Sequence, residues 1–173
     1  MVDWTRELAE VVTRSGRGVS PRKPDPPPRV APTGKVTRDD LYRVVGAIVD
    51  YNAVYRDAGS VHGCGLTRDG RMLYFVEDVG RHNATDAVSG WMWLNDIDGD
   101  GTILYSTGRL TTEIVDKAAL MGIPVVISRN GVTRRAVELA RESGVMLVAR
   151  ARRRNFQVFS CHERLVVPDV ADE

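Results

Sequence analysis

Apolar and polar positions alternate along this chain with two distinct periods, and the switches between them mark its elements. Residues 4–12 place Trp4, Leu8, Val11 and Val12 at near-helical spacing, predicting a short amphipathic helix ahead of a glycine-rich stretch at 15–19. Residues 21–35 are proline-rich. Prolines lack amide donors and keep the residues before them out of the helical region, so this stretch reads as an extended connector. Thr37 is then a plausible N-cap, with Asp40 three residues on. Leu41, Val44, Val45, Ile48 and Val49 make one apolar stripe of a helix expected to run to about Tyr55.

Two strands, 60–66 and 72–76, follow around Thr67-Arg68-Asp69-Gly70, whose Asp-Gly pair is a hairpin signal. A helix is expected over 83–94 from Ala84, Ala87, Val88, Trp91 and Leu94. Strand and helix then alternate: strands at 102–106, 124–128 and 146–149, helices at 111–121 and 133–143, and a last edge strand at 157–160. Such alternation with short connections predicts an α/β fold on a mixed, mostly parallel sheet. The organisation read from the pattern is a 1–20 segment, a connector at 21–36, one α/β domain at 37–168 and a tail at 169–173.

Composition narrows the function classes. The chain has 173 residues, 43% hydrophobic and 27% charged, with a formal net charge of +1. This suits one globular domain and argues against a general nucleic-acid or membrane-surface binder, so any basic patch must be local. No stretch approaches the roughly 18 apolar residues of a membrane span. The first ten residues carry Asp3, Arg6, Glu7 and Glu10, unlike a signal peptide, and there are only two cysteines, Cys64 and Cys161. The cytoplasm is therefore the expected compartment.

Three strand-to-helix turns hold the polar, glycine-rich chemistry. They are Glu77-Asp78-Val79-Gly80-Arg81-His82-Asn83, Ser106-Thr107-Gly108-Arg109-Leu110-Thr111-Thr112-Glu113, and Ser128-Arg129-Asn130-Gly131. Each sets a glycine and an arginine before a helix, where free amides and the helix dipole favour an anion. If their strands are near neighbours, Arg81, Arg109 and Arg129 converge on one crevice that would hold a diphosphate; otherwise the turns simply cap helices. The run Arg150-Ala151-Arg152-Arg153-Arg154-Asn155 could clamp phosphates with forked hydrogen bonds or stand as a solvated loop.

Metal readings are weaker. Asp96-Ile97-Asp98-Gly99-Asp100-Gly101-Thr102 begins like a calcium loop, but Thr107 stands where the bidentate acid belongs, so it reads as a turn. His62, Cys64, His82, Cys161 and His162 lack zinc-site spacing, and no protein-ligated metal is expected. Cys64 with a histidine base is a conceivable nucleophile, against the plainer reading of a small buried cysteine.

The first two of the turns quoted above, extended through Ala84-Thr85-Asp86 and through Ile114-Val115-Asp116-Lys117-Ala118 respectively, together with Gly59-Ser60-Val61-His62 and Gly122-Ile123-Pro124, resemble the formate dehydrogenase accessory sulfurtransferase (FdhD) family. The run Glu-Asp-Val-Gly-Arg-His-Asn-Ala is the most specific part. The likeness extends through Leu165 and is weaker just before the connector. It implies a three-layer αβα fold similar to cytidine deaminase. It also implies a part in carrying sulfur from a cysteine desulfurase to the molybdenum cofactor of a formate dehydrogenase, through a Cys-x-x-Cys loop. Here Arg17 and Ser20 stand where that loop's cysteines belong, and neither can hold a persulfide.

The family's cofactor-binding segment falls on Arg150 to Asn155. The expectation is thus an accessory protein that binds the bis-guanine-dinucleotide form of the molybdenum cofactor and performs no sulfur transfer of its own. In that reading the contacts are the 150–155 run with Gly80, Arg81, His82, Ser106, Gly108, Arg109, Ser128 and Arg129. Formate dehydrogenase is the expected partner, and a homodimer is the family-level expectation. An active sulfurtransferase using Cys64 or Cys161 and supplied by a cysteine desulfurase is the alternative, as is a non-catalytic interaction subunit.

Overall fold

A computed structural model of the chain describes residues 28–31 and 35–166. The expected helix at 4–12 and the positions Arg17 and Ser20 lie outside the described residues. A two-residue strand β1 (Val36–Thr37) leads into helix α1 (Arg38–Tyr51) through a full capping box. Thr37 Oγ1 accepts the Asp40 amide at 3.2 Å, and Asp40 Oδ2 accepts the Thr37 amide at 2.8 Å. The helix stops earlier than its apolar stripe suggests. At its end the Asn52 side-chain amide donates to the Ile48 carbonyl at 2.8 Å, and the chain restarts as a short helix α2 (Ala53–Ala58).

The hairpin is as expected, slightly longer: β2 (His62–Arg68) and β3 (Arg71–Asp78) joined by Asp69-Gly70, both left-handed at φ 52° and 73°. The alternation continues as α3 (Arg81–Leu94), β4 (Thr102–Ser106), α4 (Thr112–Leu120), β5 (Val125–Ser128) and α5 (Arg134–Ser143). It ends with β6 (Met146–Arg152), β7 (Asn155–Val158) and a two-residue β8 (Leu165–Val166) that pairs in parallel with β1. Residues 95–101 form the connection into β4 that the aspartate-rich run predicted.

The six-stranded sheet has the order β3-β2-β4-β5-β6-β7. Strands β4, β5 and β6 pair in parallel, while β2 runs against both its neighbours and β7 runs against β6. It follows that β3, β4, β5 and β6 point the same way, and the sheet is mixed with one dominant direction. The last strand begins two residues earlier than expected, because the turn Arg153-Arg154, with Arg153 left-handed at φ 53°, folds the chain back directly after Arg152. The arginine run is therefore mostly a hairpin rather than a free loop.

Side chains alternate across the strands and sort into two cores. Cys64, Leu66, Leu104, Val126, Leu147 and Ala149 pack with α3, α4 and α5 on one face. Ile103, Tyr105, Val125, Ile127, Met146 and Val148 pack with Leu41, Val44 and Ile48 of α1 on the other. Three layers result, with three helices against one face and α1 against the second.

Strand β2 supplies glycines to the α1 face. A Cβ at Gly63 would lie 2.6 Å from Asn52 Oδ1 and 2.7 Å from Phe75 Cζ, and one at Gly65 would lie 3.1 Å from Phe75 and 3.2 Å from Ile48. Gly63→Ala should therefore cost about 1–3 kcal/mol by overpacking, read as a lower midpoint in urea unfolding with an unchanged slope. A midpoint equal to the parent's would show that Phe75 and Asn52 can yield without cost.

Candidate functional site

Because four strands share a direction, the turns that follow β3, β4 and β5 lie on one edge of the sheet, together with the first residue of β2, His62, which pairs with Asp78. Ligands of open α/β sheets gather at this carboxyl edge. The two central turns are bonded to one another. Ser106 and Ser128 end adjacent strands in register, and each hydroxyl accepts the amide two residues on, from Gly108 at 3.1 Å and from Asn130 at 3.0 Å. Ser128 Oγ also donates to the Gly108 carbonyl at 2.5 Å, Asn130 Nδ2 donates to the Thr107 carbonyl at 2.5 Å, and the Arg150 amide donates to the Asn130 carbonyl at 2.8 Å.

Against this laced edge lies an open cavity of about 460 Å³, lined by Arg129, Asn130, Gly131, Arg150 and Arg152. Among the described residues none of its three arginines has a carboxylate within ion-pair distance. Arg129 instead lies over the ring of Tyr55, with Cζ 5.3 Å from the centroid. The start of α2, which carries Tyr55, is held by a single carboxylate: Glu77 accepts the Val54 amide at 2.8 Å and the Tyr55 amide at 2.9 Å. Beneath, the buried Tyr105 phenol is pushed up to about 12 by burial, with the nearby Arg129 charge opposing.

The arginines expected to converge thus divide. Arg129 joins Arg150 and Arg152 at the cavity; Arg81 and Arg109 do not line it. The stem of Arg81 packs over Gly108, where an added Cβ would meet Arg81 Cβ and Cδ at 2.7 Å, and Arg109 is exposed. Arg153 and Arg154 form the exposed hairpin turn, Asn155 pairs with Arg152, and Ala151 is buried in the α1-side core rather than at the cavity. Gly80 caps α3, its amide held by Asp78 Oδ1 at 2.7 Å, while Ser106, Gly108 and Ser128 are buried parts of the lacing.

Elsewhere along the edge, His62 Nδ1 lies 3.3 Å from Thr107 Oγ1, which also accepts the Gly63 amide at 3.0 Å. His82 Nδ1 lies 3.4 Å from Glu113 Oε2 without hydrogen-bond geometry, and Lys117 ties Asp86 at 2.7 Å to Glu113 at 3.5 Å. Burial holds the His82 imidazole below its ordinary value, with Glu113 pulling the other way.

Neither thiol reaches the cavity lining. Cys64 is fully buried, and burial pushes its thiol up to about 12, offset slightly by Thr85 Oγ1 at 3.9 Å. Cys161 is half-buried and also raised, by burial first and then by Glu163. Sequence reasoning did not single out Tyr55, Glu77 or Asn130 as site residues. Glu77 and Asn130 sit within the quoted turns, whereas Tyr55 has no local signal, since only the fold brings α2 to Arg129.

Comparison with known proteins gives a consistent result. A family model described as the FdhD/NarQ family matches residues 7–166. A sulfur carrier protein FdhD from Thermoplasma acidophilum is 36% identical over 137 residues, covering 77% of this chain and 49% of that protein. The protein of that name from Thermoplasma volcanium is 34% identical over 142 residues, covering 78% and 51%. The chain spans about half the length of the curated relatives it matches. The crystal structure of a protein assigned as a formate dehydrogenase accessory protein, from Desulfotalea psychrophila, aligns with a TM-score of 0.74 at 34% identity, over 80% of this chain and 59% of that one.

The thiols provide a direct check on this chemistry. Treated with iodoacetamide at about pH 8, the native protein should be alkylated at Cys161 while Cys64 stays unmodified until unfolding, as peptide mass spectrometry would show. Alkylation of native Cys64 at a rate within about ten-fold of Cys161 would restore it as a nucleophile.

Proposed function

We infer that this chain, which belongs to the FdhD/NarQ family, is the nucleotide-binding part of a formate dehydrogenase maturation factor. Its cargo in this reading is the molybdenum cofactor in its bis-guanine-dinucleotide form. The observation that carries it is the cavity walled by Arg129, Arg150 and Arg152, whose cations have no carboxylate partner among the described residues. Such a donor set fits a diphosphate, since guanidinium groups pair with phosphate oxygens through forked hydrogen bonds. The metal centre travels with the cargo, and the protein's own residues supply binding and orientation.

Sulfur transfer by this chain alone is not part of the reading. Cys64 is sealed and poorly ionised, and Arg17 and Ser20 stand at the positions that the family resemblance assigns to the relay cysteines. A cysteine desulfurase is a partner only if the half-buried Cys161 or a thiol from another chain takes up the sulfur. The cytoplasm is the proposed compartment and a homodimer the proposed assembly. The strand order with β2 reversed supports carrying over the cytidine deaminase-like classification.

A second reading, a subunit that acts through protein contact, is favoured by exposed apolar side chains at the ends of α3 and α4. There Trp93 is 81% exposed, and Leu94 and Leu120 are exposed with it. Calorimetric titration with guanosine diphosphate separates the two readings. Arg152→Ala should weaken binding by about ten-fold, whereas Arg109→Ala, away from the cavity, should leave it within about two-fold. Absence of binding by the parent protein would remove the cofactor reading and leave the contact reading.

A further inference from the structure

The seam between α3 and α4 changes character along its length. Near the carboxyl edge of the sheet it is ionic: Lys117 of α4 reaches Asp86 of α3 at 2.7 Å and Glu113 at 3.5 Å. Trp93 follows Asp86 by seven residues and so shares its side of α3, and Leu120 stands one turn beyond Lys117 on α4. The far end of the same seam therefore carries apolar side chains, and they are left to solvent: Trp93 is 81% exposed, Leu94 74% and Leu120 72%. Large apolar groups gathered in this way, rather than scattered singly, mark a contact surface.

Gly90, one turn before Trp93 and Leu94, is also exposed, and a Cβ there would meet nothing within 4 Å. A glycine inside a helix weakens it, and here no neighbour requires one. Its effect is a bare strip of backbone beside the indole. A groove between two helices, with apolar walls and a bare floor, has the shape that takes an amphipathic helix.

Charge narrows the occupant. Residues 95–101 link α3 to β4 and carry Asp96, Asp98 and Asp100, all exposed. The segment is fixed beside the end of α4, because Gly99 packs on the backbone of Met121 and Gly122 so closely that no Cβ fits. Arg68 lies 3.5 Å from Asp98, while among the described residues Asp96 has no cation within ion-pair distance. An apolar patch with this rim disfavours a second copy of itself and suits a segment whose apolar residues are flanked by lysine or arginine.

We propose that the Trp93, Leu94 and Leu120 surface is a docking groove for a basic amphipathic helix of a partner protein. The assignment rests on the contact reading above, to which it gives a place and a partner chemistry, and it is independent of the cofactor reading.

The test uses fluorescence polarisation with two labelled synthetic helices of about 18 residues, added to the full chain. One carries leucines at helical spacing among lysines, the other the same leucines among glutamates. The lysine peptide should bind at least about ten-fold more tightly than the glutamate peptide. Trp93→Ala with Leu120→Ala should weaken it about ten-fold, as should Gly90→Gln, which lays a polar side chain across the bare strip. Asp96→Asn with Asp98→Asn should narrow the preference between the peptides to about three-fold or less. Val49→Ser, at an exposed apolar position of α1, should leave binding within about two-fold. Guanosine diphosphate titrations of all these variants should match the parent's, since none of the residues lines the cavity.

Equal binding of the two peptides, still lost on replacing Trp93 and Leu120, overturns the basic partner and leaves the contact reading standing. Concentration-dependent dimerisation of the parent that Trp93→Ala abolishes assigns the groove to a second copy and overturns the proposal. Failure of either peptide to bind, or binding that survives the loss of Trp93 and Leu120, removes the groove and the observation that favours the contact reading.

Discussion

The arrangement of this edge depends on how the buried polar groups between the turns after β4 and β5 are satisfied. Strand ends at the middle of a sheet leave carbonyls and amides that neither helix nor ladder can use, and burying them unpaired is costly. Here the deficit is met from within: Ser106 and Ser128, equivalent residues on adjacent strands, each turn a hydroxyl back to the chain two residues ahead. Ser128 and Asn130 then cross to the neighbouring turn. Two connections become one body, and the Arg150 amide joins it through the Asn130 carbonyl. Removing one partner would expose the others, which is why such a network defines position more strictly than any single contact in it.

That rigidity makes the division of the arginines meaningful. On a loose surface, charged side chains of this length sample many positions and their grouping in one structure carries little weight. Arg129 lies between a laced turn and the Tyr55 ring, and Arg150 lies within β6 with its own amide bonded to the same turn, so their backbone separation is set by the fold. Arg109 has no comparable anchor and stands exposed, although it occupies the equivalent place in its own turn. Equivalent sequence contexts thus produced different environments, and the difference lies in what packs beside each turn.

Much of the fold was legible because it rests on local rules. The Thr37–Asp40 capping box, the Asp69-Gly70 turn and the alternation from 102 onward are written in neighbouring residues, and the elements fall close to their expected bounds. What escaped reading depends on pairs far apart in sequence. Nothing near β2 says that it inserts against the grain between β3 and β4. Its glycines record that packing only once Phe75 and Asn52 are known to face them. The break at Asn52 arises from a side chain competing with its own helix, a choice that an apolar stripe does not report. The site was legible by half for the same reason: its arginines and glycines stand in visible turns, but the convergence of Tyr55, Arg129, Arg150 and Arg152 is a tertiary fact.

The overall charge sharpens what kind of recognition such an edge can perform. With a formal net charge of +1, the molecule as a whole exerts little long-range pull on an anion, and at physiological salt fields fade over about 8 Å. Any preference for a charged ligand must come from groups close enough to touch it. The cavity meets that condition with three guanidinium groups and, among the described residues, no acid in its lining. The acids of the neighbouring turns are engaged elsewhere: Glu77 with the amides of α2, Asp78 with Gly80, and Glu113 with Lys117. Of these three acids only Glu113 faces a cation, while Glu77 and Asp78 keep their charge on backbone amides and do not line the cavity, so a nearly neutral chain can present one locally basic surface.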